Sequence, residues 1–395
     1  MRIGIVGPFN PASIANRLEC KAVPNINGDA TAVNTLVREL LDQGHHIEVF
    51  TLHSLLPNAY TKLIGENIGV HLIPVGIIPR LLGYHQFVIG QFYLPYRIAN
   101  VIRKEMNNLD VLHAHWTYEY AKAILPFAGQ LPIFDTVRDW CPYQLSVMKG
   151  RSRLDWTLKS ITFKQVMKEK RMTFIANSAY TKRMILEVYP DKQVPEIPNP
   201  IDKSWILTEK KQGVRNKFVS IATGLLSPRK NISTLLEAFS MYRSNYADAE
   251  LHLVGGYDEH NDVFKKWQER GWLEGVTLHG ALPHDKLAAL LDQMSCLVHP
   301  AWEETFGNIL LEAMSRCVPC IGGKESGAVP DVLGHGKYGL VCNIKEAKSI
   351  FETMLLMNKN DIYQNIQHEA TKMLKENYSS DIIAKKHVEL FSRML

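Results

Sequence analysis

Glu304 and Glu312, in "EETFGNILLEAMSRCVPC" (303–320), stand eight residues apart with Phe306 and Gly307 between them. On one continuous helix that spacing is a rise of about 12 Å. Two carboxyls acting as acid and nucleophile on a glycoside need to be about 5 Å apart, so this pair does not form such a couple on one helix. It is either acidic decoration of an amphipathic helix or a grip on the two ends of one extended ligand, since carboxylates accept hydrogen bonds from sugar diols. Glu304 falls in the loop after the apolar stretch "CLVHPA" (296–301), Phe306 and Gly307 open a helix, and Glu312 lies two turns inside it. The N–H groups at such a helix start favour an anion or a polar ligand. A second stretch, "GLLSPRKN" (224–231), joins the strand pattern "FVSIAT" to the helix pattern "ISTLLEAFSMY". Arg229 and Lys230 there are either a solvated basic turn or a diphosphate clamp beside a helix start. His113 and His115 close the strand "VLHAH" (111–115). His115, the last residue, is the functional candidate, and His113 reads as structural.

Elements of a particular kind must position these groups. Short apolar strands alternate with longer helical patterns twice along the chain: 2–7, 46–51, 69–75, 111–115, 133–137 and 173–178, then 218–223, 249–255, 276–280, 296–301, 319–323 and 339–342. Such β-α-β alternation implies parallel sheets covered on both faces, here two doubly wound, Rossmann-like α/β domains. Ala32, Val33, Leu36, Val37, Leu40 and Leu41 recur at helical spacing before Gly44, a natural stop. More than twenty residues, Pro8 to Gly28, precede that helix, whereas such connections usually take about two to six; an active-site loop is expected. Prolines and then charges break the pattern over 196–213, and a terminal helix begins near Ser380. The expected domains are 1–205 and 206–377, with a helix over about 378–395 packing back on the first. Ligands of open α/β sheets bind outside the carboxyl ends of the strands, so the expected site is a cleft that the two domains face.

With 395 residues the chain exceeds the roughly 250–300 at which single cores stop growing. The six scattered cysteines suit a reducing compartment rather than a disulfide framework, and Cys317-Val-Pro-Cys320 reads as a helix-to-strand turn. "MRIGIVGPFN" reads as a strand and turn rather than a signal peptide, and no apolar run reaches the about 18 residues of a membrane span. The nearest, "LLGYHQFVIGQFYLPY" (81–96), is broken by His, Gln and Gly. Residues 1–200 hold 22 Lys and Arg against 16 Asp and Glu, and residues 201–395 hold 23 against 24. The excess concentrates in 149–172, with eight basic and two acidic residues interleaved with Trp156, Ile161 and Phe163. That segment is a solvated helix face or a seat on anionic lipid headgroups. Nothing accompanies the charge that would mark a nucleic-acid-binding module, so no nucleic acid is expected.

"ATGLLSPRKNISTLLEAF", "LHLVGG", "VTLHGALPHDKLAALLDQMSCLVHPAWEETFGNILLEAMSRCVPCIGG" and "GAVPDVL" resemble, in this order, the C-terminal half of retaining nucleotide-sugar glycosyltransferases of the GT-B fold, the glycosyl transferases group 1 set of glycosyltransferase family 4. "NGDATAVNTLVRELLDQGHHIEVFT", "LDVLHAHW", "IANSAYTKRMILEVYP" and "IPNPID" resemble their N-terminal half less specifically. The resemblance implies transfer of a sugar from a nucleotide-diphosphate donor to a hydroxyl acceptor, with retention; a seat of 149–172 on anionic lipid would make the acceptor a saccharide or lipid-linked saccharide, as in cell-surface polysaccharide or lipopolysaccharide synthesis. By the same resemblance Glu304 contacts donor-sugar hydroxyls and Glu312 holds the ribose. Lys230 and Arg229 neutralise the diphosphate, and Phe306 and Gly307 lend backbone N–H groups. Gly28 lets the chain approach the diphosphate, and His115 lies at the sugar–acceptor junction. No D-x-D element follows a strand, so neither a catalytic metal nor a cofactor is expected. The expected location is cytoplasmic, with peripheral attachment to the inner face of the membrane through 149–172. Four positions depart from the family pattern: Leu225 replaces an Arg, Asn27 replaces the first Gly of a pair, Arg138 replaces a His and Cys317 replaces a Gly. The rival readings are a non-catalytic nucleotide-sugar-binding protein and a nucleotide-sugar epimerase of the same fold. A dehydrogenase would need a G-x-G-x-x-G after a strand, which is missing.

Overall fold

The computed structural model describes residues 1–20, 22–26, 30–54, 59–76, 90–207 and 215–395. The chain divides into two compact units, Met1–Pro200 with Ser380–Leu395, and Ile201–Ser379. Among the described residues no helix is long and apolar enough to cross a membrane.

The first unit holds a seven-stranded sheet in the order β3-β4-β2-β1-β5-β6-β7. Its strands are β1 (Arg2–Val6), β2 (His46–His53), β3 (Thr61–Gly65), β4 (Ile68–Pro74), β5 (Val111–His115), β6 (Ile133–Val137) and β7 (Met172–Ala176). All neighbours pair in parallel except β3, which pairs antiparallel to β4. β3 is the one strand of this sheet that the sequence reading omits. It is a five-residue edge strand with a single buried residue, Leu63, so it lacks the apolar run by which the others declare themselves. The helices are α1 (Thr31–Asp42), α2 (Leu94–Glu105), α3 (Glu119–Ile124), α4 (Cys141–Val147), α5 (Gly150–Met167), α6 (Ala179–Val188) and, at the far end of the chain, α14 (Ser380–Ser392). Strands buried on both faces feed two cores. Leu112 and Ala114 of β5 pack into one core together with Phe163 of α5, and Ile3 and Ile5 of β1 pack into the other with Leu36 and Leu40 of α1.

α14 belongs to that second core. Ile383, Ala384 and Phe391 are fully buried in it, and the Phe391 ring lies 4.7 Å from Phe134 and 5.4 Å from His113. Ser380 Oγ donates to Glu39 Oε2 at 2.8 Å, and Gln43 Nε2 donates to the Asp381 carbonyl at 3.2 Å, so α14 is clasped to α1 by polar as well as apolar contacts.

The second unit holds a six-stranded parallel sheet in the order β10-β9-β8-β11-β12-β13. These are β8 (Lys217–Gly224), β9 (Glu250–Gly256), β10 (Val276–Leu278), β11 (Cys296–His299), β12 (Cys320–Gly323) and β13 (Leu340–Cys342), covered by α7 (Ile232–Arg243), α8 (Asp262–Glu269), α9 (His284–Leu291), α10 (Asn308–Ser315), α11 (Val329–Val332), α12 (Ala347–Met357) and α13 (Asn360–Asn377). The chain leaves β8 toward β9 and β10 on one side and later runs from β11 toward β12 and β13 on the other. The strand order therefore reverses between β8 and β11, and in the first unit between β1 and β5. A doubly wound sheet opens a crevice at such a point because the crossover helices on its two sides lie on opposite faces.

Truncating Phe391 to Ala empties a large buried site in the first unit. The expected cost is about 3–5 kcal/mol, measured as a lowered urea midpoint for the unfolding of that unit.

Candidate active site

In the second unit the loops that leave β8 and β11 meet at the reversal point. The β8 loop places Lys230 and then Asn231, which adopts φ +55°, a left-handed conformation that Asn tolerates. Asn231 Nδ2 donates to the Ile344 carbonyl at 2.8 Å and fixes this turn. The β11 loop carries Glu303 and Glu304. The two loops are tied by backbone, with Trp302 N donating to the Arg229 carbonyl at 2.9 Å, and by side chain, with Arg229 Nη1 donating to the Glu303 carbonyl at 3.0 Å. Lys230 Nζ bonds Glu304 Oε1 directly, and both side chains are largely buried. Arg229 Nη1 stands 3.9 Å from both Glu303 Oε2 and Glu304 Oε1.

Glu304 is held from two further directions. His299, the buried last residue of β11, places Nε2 3.5 Å from Glu304 Oε1, which is long for a hydrogen bond. The Glu304 carbonyl accepts from Ala328 N at 2.8 Å. Gly327, with φ +64°, passes so close that a Cβ there would lie 2.3 Å from the Glu304 carbonyl oxygen. Only glycine fits that crossing. Burial pushes the Glu304 carboxyl up, but His299 and the Lys230 ammonium outweigh it and hold the group well below the usual carboxylate range. Glu304 is therefore an ionised acceptor at neutral pH.

Glu312 sits on α10, a helix capped by Gly307 with φ +86°. It stands four residues past the first helical residue, one turn inside rather than the two expected, because the helix begins at Asn308 and not at Phe306. Its carboxyl is nearly buried, 3.5 Å from His284 Nε2, and the His284 ring stacks on Trp205 at 3.9 Å and 23°. Arg316 forks onto Asp292 at 2.7 and 2.6 Å and also donates to the Trp205 carbonyl at 3.3 Å. The Phe306 side chain is buried, 6.1 Å from the Tyr378 ring, so only its backbone is available to a ligand. Leu225 is buried among Phe218, Leu235 and Leu253, and its N–H donates to the Gly256 carbonyl at 3.0 Å. Cys317 takes φ +55°, the conformation in which glycine is at ease, and both it and Cys320 are buried thiols.

In the first unit β1 and β5 flank the reversal point. Gly7, just after β1, lies so close to β5 that a Cβ would be 3.0 Å from the His115 Cβ. His115 is fully buried, and Arg138 Nη2 lies 2.8 Å from its Nδ1 while Arg138 Nη1 donates to Asn199 Oδ1 at 2.5 Å. His113 Nε2 pairs with Thr136 Oγ1 at 2.8 Å, and its ring lies 4.0 Å from that of His115 and 5.0 Å from that of His387 on α14. Burial lowers the pKa values of all three histidines, and the neighbouring Arg138 charge adds to it. Burial also pushes the Asp135 carboxyl up to about 7, against the pull of Thr117 and Arg138. Trp116, directly after His115, adopts φ +97°, a strained conformation for a bulky residue. Gly28 lies outside the described residues.

Residues 150–167 of the basic segment form α5. Phe163 is buried, Trp156 half-buried, and Lys159 is buried with Nζ 4.7 Å from the Trp156 ring and 5.4 Å from that of Tyr118. The opposite face of α5 exposes Arg153, Leu154, Thr157, Ile161 and Lys164, with Lys168 exposed just past its end and Leu154 and Ile161 at 61% and 54% exposure.

His299, Glu303 and Gly327 are site residues that the sequence reading misses. His299 was findable, since it closes β11 as His115 closes β5. The contact that demands Gly327 joins residues 23 positions apart and leaves no local mark. Among the described residues no group of three His, Cys, Asp or Glu side chains converges as metal ligands would.

Residues 205–377 match the family described as Glycosyl transferases group 1, and residues 26–205 match Glycosyltransferase Family 4. The N-acetyl-alpha-D-glucosaminyl L-malate synthase of Bacillus anthracis is 24% identical over 390 residues, covering 94% of this chain and 95% of its own. The O-antigen chain mannosyltransferase B of Escherichia coli is 30% identical over 145 residues, 36% of this chain and 37% of its own. Among solved structures, the sucrose-phosphate synthase of Thermosynechococcus elongatus superposes with a TM-score of 0.76 at 16% identity, over 100% of this chain and 98% of its own.

Because the folded state depresses the Glu304 pKa, its stabilisation is complete above the ordinary carboxyl value of about 4.3 and is lost as pH falls toward the folded value. Glu304→Gln should cost about 2 kcal/mol at pH 7. The difference from the parent should narrow steadily below about pH 4, measured by urea unfolding across pH.

Proposed function

The chain belongs to the glycosyl transferases group 1 of family 4, glycosyltransferases of the GT-B fold with relatives in polysaccharide synthesis, and from that premise we propose the following reaction. The enzyme moves a hexosyl unit from a nucleotide-diphosphate sugar to a hydroxyl of a saccharide or lipid-linked saccharide, with retention, in assembly of a cell-surface polysaccharide. The observation that carries this reading is the buried meeting of Lys230, Arg229 and Glu304 at the reversal point of the second sheet. In the transfer, the bond from the anomeric carbon to the diphosphate oxygen breaks and one to the acceptor oxygen forms. The acceptor proton leaves with the diphosphate. The chief demand on the protein is to stabilise charge growing on that diphosphate. The Lys230 ammonium has three donors, so it keeps Glu304 with one and offers others to phosphate. Ionised Glu304 accepts from donor-sugar hydroxyls, and Glu312, one turn inside α10, accepts from the ribose. No resident metal or cofactor enters this scheme, because the two cations take the diphosphate.

The Bacillus relative's name makes N-acetylglucosamine the first donor sugar to try. Calorimetry against UDP-, GDP- and ADP-sugars should find one nucleotide class that binds, weakened about 10-fold or more in Glu312→Ala by loss of a charged hydrogen-bonding partner. Binding by none would bring forward the non-catalytic reading. Conversion of the donor without acceptor would mean an epimerase.

The outer face of α5 is the proposed seat on anionic lipid. Its cations attract headgroups, and Leu154 and Ile161 enter the interface. The protein should co-sediment with phosphatidylglycerol vesicles more than with phosphatidylcholine vesicles, and Lys164→Glu with Lys168→Glu should abolish the difference. Equal sedimentation with both vesicles would refute the seat.

A further inference from the structure

Arg138 occupies a position that the reaction scheme above leaves without a role. It follows β6, is half-buried, and faces His115 of β5, Asn199, and Asp135 of β6. The His113 ring of β5 lies 4.0 Å from that of His115, and the His387 ring of α14 lies 5.0 Å from that of His113. A guanidinium carries only donors and stays protonated in proteins. Burial pulls its pKa down to about 10, still above neutrality. At 2.8 Å from Arg138 Nη2, His115 Nδ1 must therefore present its lone pair. A neutral imidazole has one proton, so that proton sits on Nε2. His115 Nε2 is buried and has no hydrogen-bond partner among the described residues. An N–H in that state costs free energy until an acceptor arrives.

We propose that Arg138 is a positioning residue of the transfer reaction, fixing His115 as the Nε2–H tautomer so that His115 donates to a substrate oxygen and never serves as a base. The Arg138 charge draws electron density from Nδ1 and makes Nε2–H a stronger donor. Asn199, through its own hydrogen bond to Nη1, sets the angle at which the guanidinium meets the ring. The ligand at this point is an oxygen acceptor, a sugar hydroxyl or ring oxygen, and an ammonium in its place would be rejected. Protonation of His115 would bring an N–H against a guanidinium, so the tautomer holds through acid as well as neutral pH. The inference rests on the glycosyltransferase reading for its substrate, but the tautomer is a property of the free protein.

The test is a two-bond proton–nitrogen correlation spectrum of histidine-labelled protein between pH 5.5 and 8, with the His115 signals identified by their loss in His115→Gln. The expected pattern is Nε2 protonated, Nδ1 bare, and no change across that range. A protonated Nδ1 in the parent protein overturns the proposal, whether or not any variant folds and whether or not any nucleotide binds. Arg138→Met should release the tautomer and slow hydrolysis of the nucleotide sugar that binds best, water being the acceptor, by about 10- to 100-fold, with its calorimetric Kd unchanged. Arg138→Lys, which keeps a cationic donor, should restore the tautomer and part of the rate. Equal slowing in both variants with the tautomer intact also overturns it.

Discussion

One buried pairing, Lys230 with Glu304, organises the reversal point of the second sheet. Removing an ammonium and a carboxylate from water is expensive, and their attraction offsets that cost only when geometry is good and the remaining valences are met. The surrounding residues meet those conditions one by one. Asn231 turns the backbone so that Lys230 points back at the β11 loop, and the Trp302–Arg229 backbone bond holds the two loops in register. Ala328 and Gly327 lock the Glu304 backbone from the β12 side. The result is a set of charges placed before any ligand arrives, which is what stabilisation of a leaving anion requires, since groups that need not move at the moment of reaction lose nothing to reorganisation.

The reversal points of the two sheets carry a matched pair of histidines in opposite electrical settings. His299 closes β11 and looks at a carboxylate, whereas His115 closes β5 and looks at a guanidinium. The strand register delivers each ring to the same place in its sheet, and the neighbour then decides its role. Next to Glu304, a histidine helps to keep an acceptor ionised. Next to Arg138, a histidine becomes a donor. The strained backbone at Trp116 fits the same pattern, because strain of this kind persists where surrounding structure over-determines a position.

The sheets and the loops that carry the charged groups were legible because buried parallel strands write themselves as apolar runs and the functional groups follow those runs directly. Arg229, Lys230, Glu304 and Glu312 all lie within a few residues of a strand or helix boundary. What stayed hidden are features settled by contacts across the fold. β3 is polar and at an edge. Gly327 is needed only because Glu304 passes beneath it. Lys159 counts in the sequence as surface charge, yet its ammonium is buried among aromatic rings. Helix α5 therefore shows fewer cations to solvent than its composition suggests, and the apolar residues it does expose are Leu154 and Ile161 rather than its aromatic ones.

The fate of position 225 shows how the charge balance of the second unit works. A cation expected there is replaced by a core leucine whose side chain never reaches the loop surface. That leaves Lys230 and Arg229 against Glu303 and Glu304, with Arg229 within 4 Å of both carboxylates and Lys230 on Glu304. Such a cluster has almost no net charge, so it projects little field into solvent and offers little long-range steering to an anionic nucleotide. Recognition must then come at short range, from donors aimed at phosphate and acceptors aimed at hydroxyls. An isolated phosphate meets the carboxylates as well as the cations, and an isolated sugar leaves the cations without a counter-charge. The proposed donor, a diphosphate joined to a sugar, would satisfy both halves of the cluster at once, so on that reading a neutral cluster selects where a purely cationic one would hold any anion.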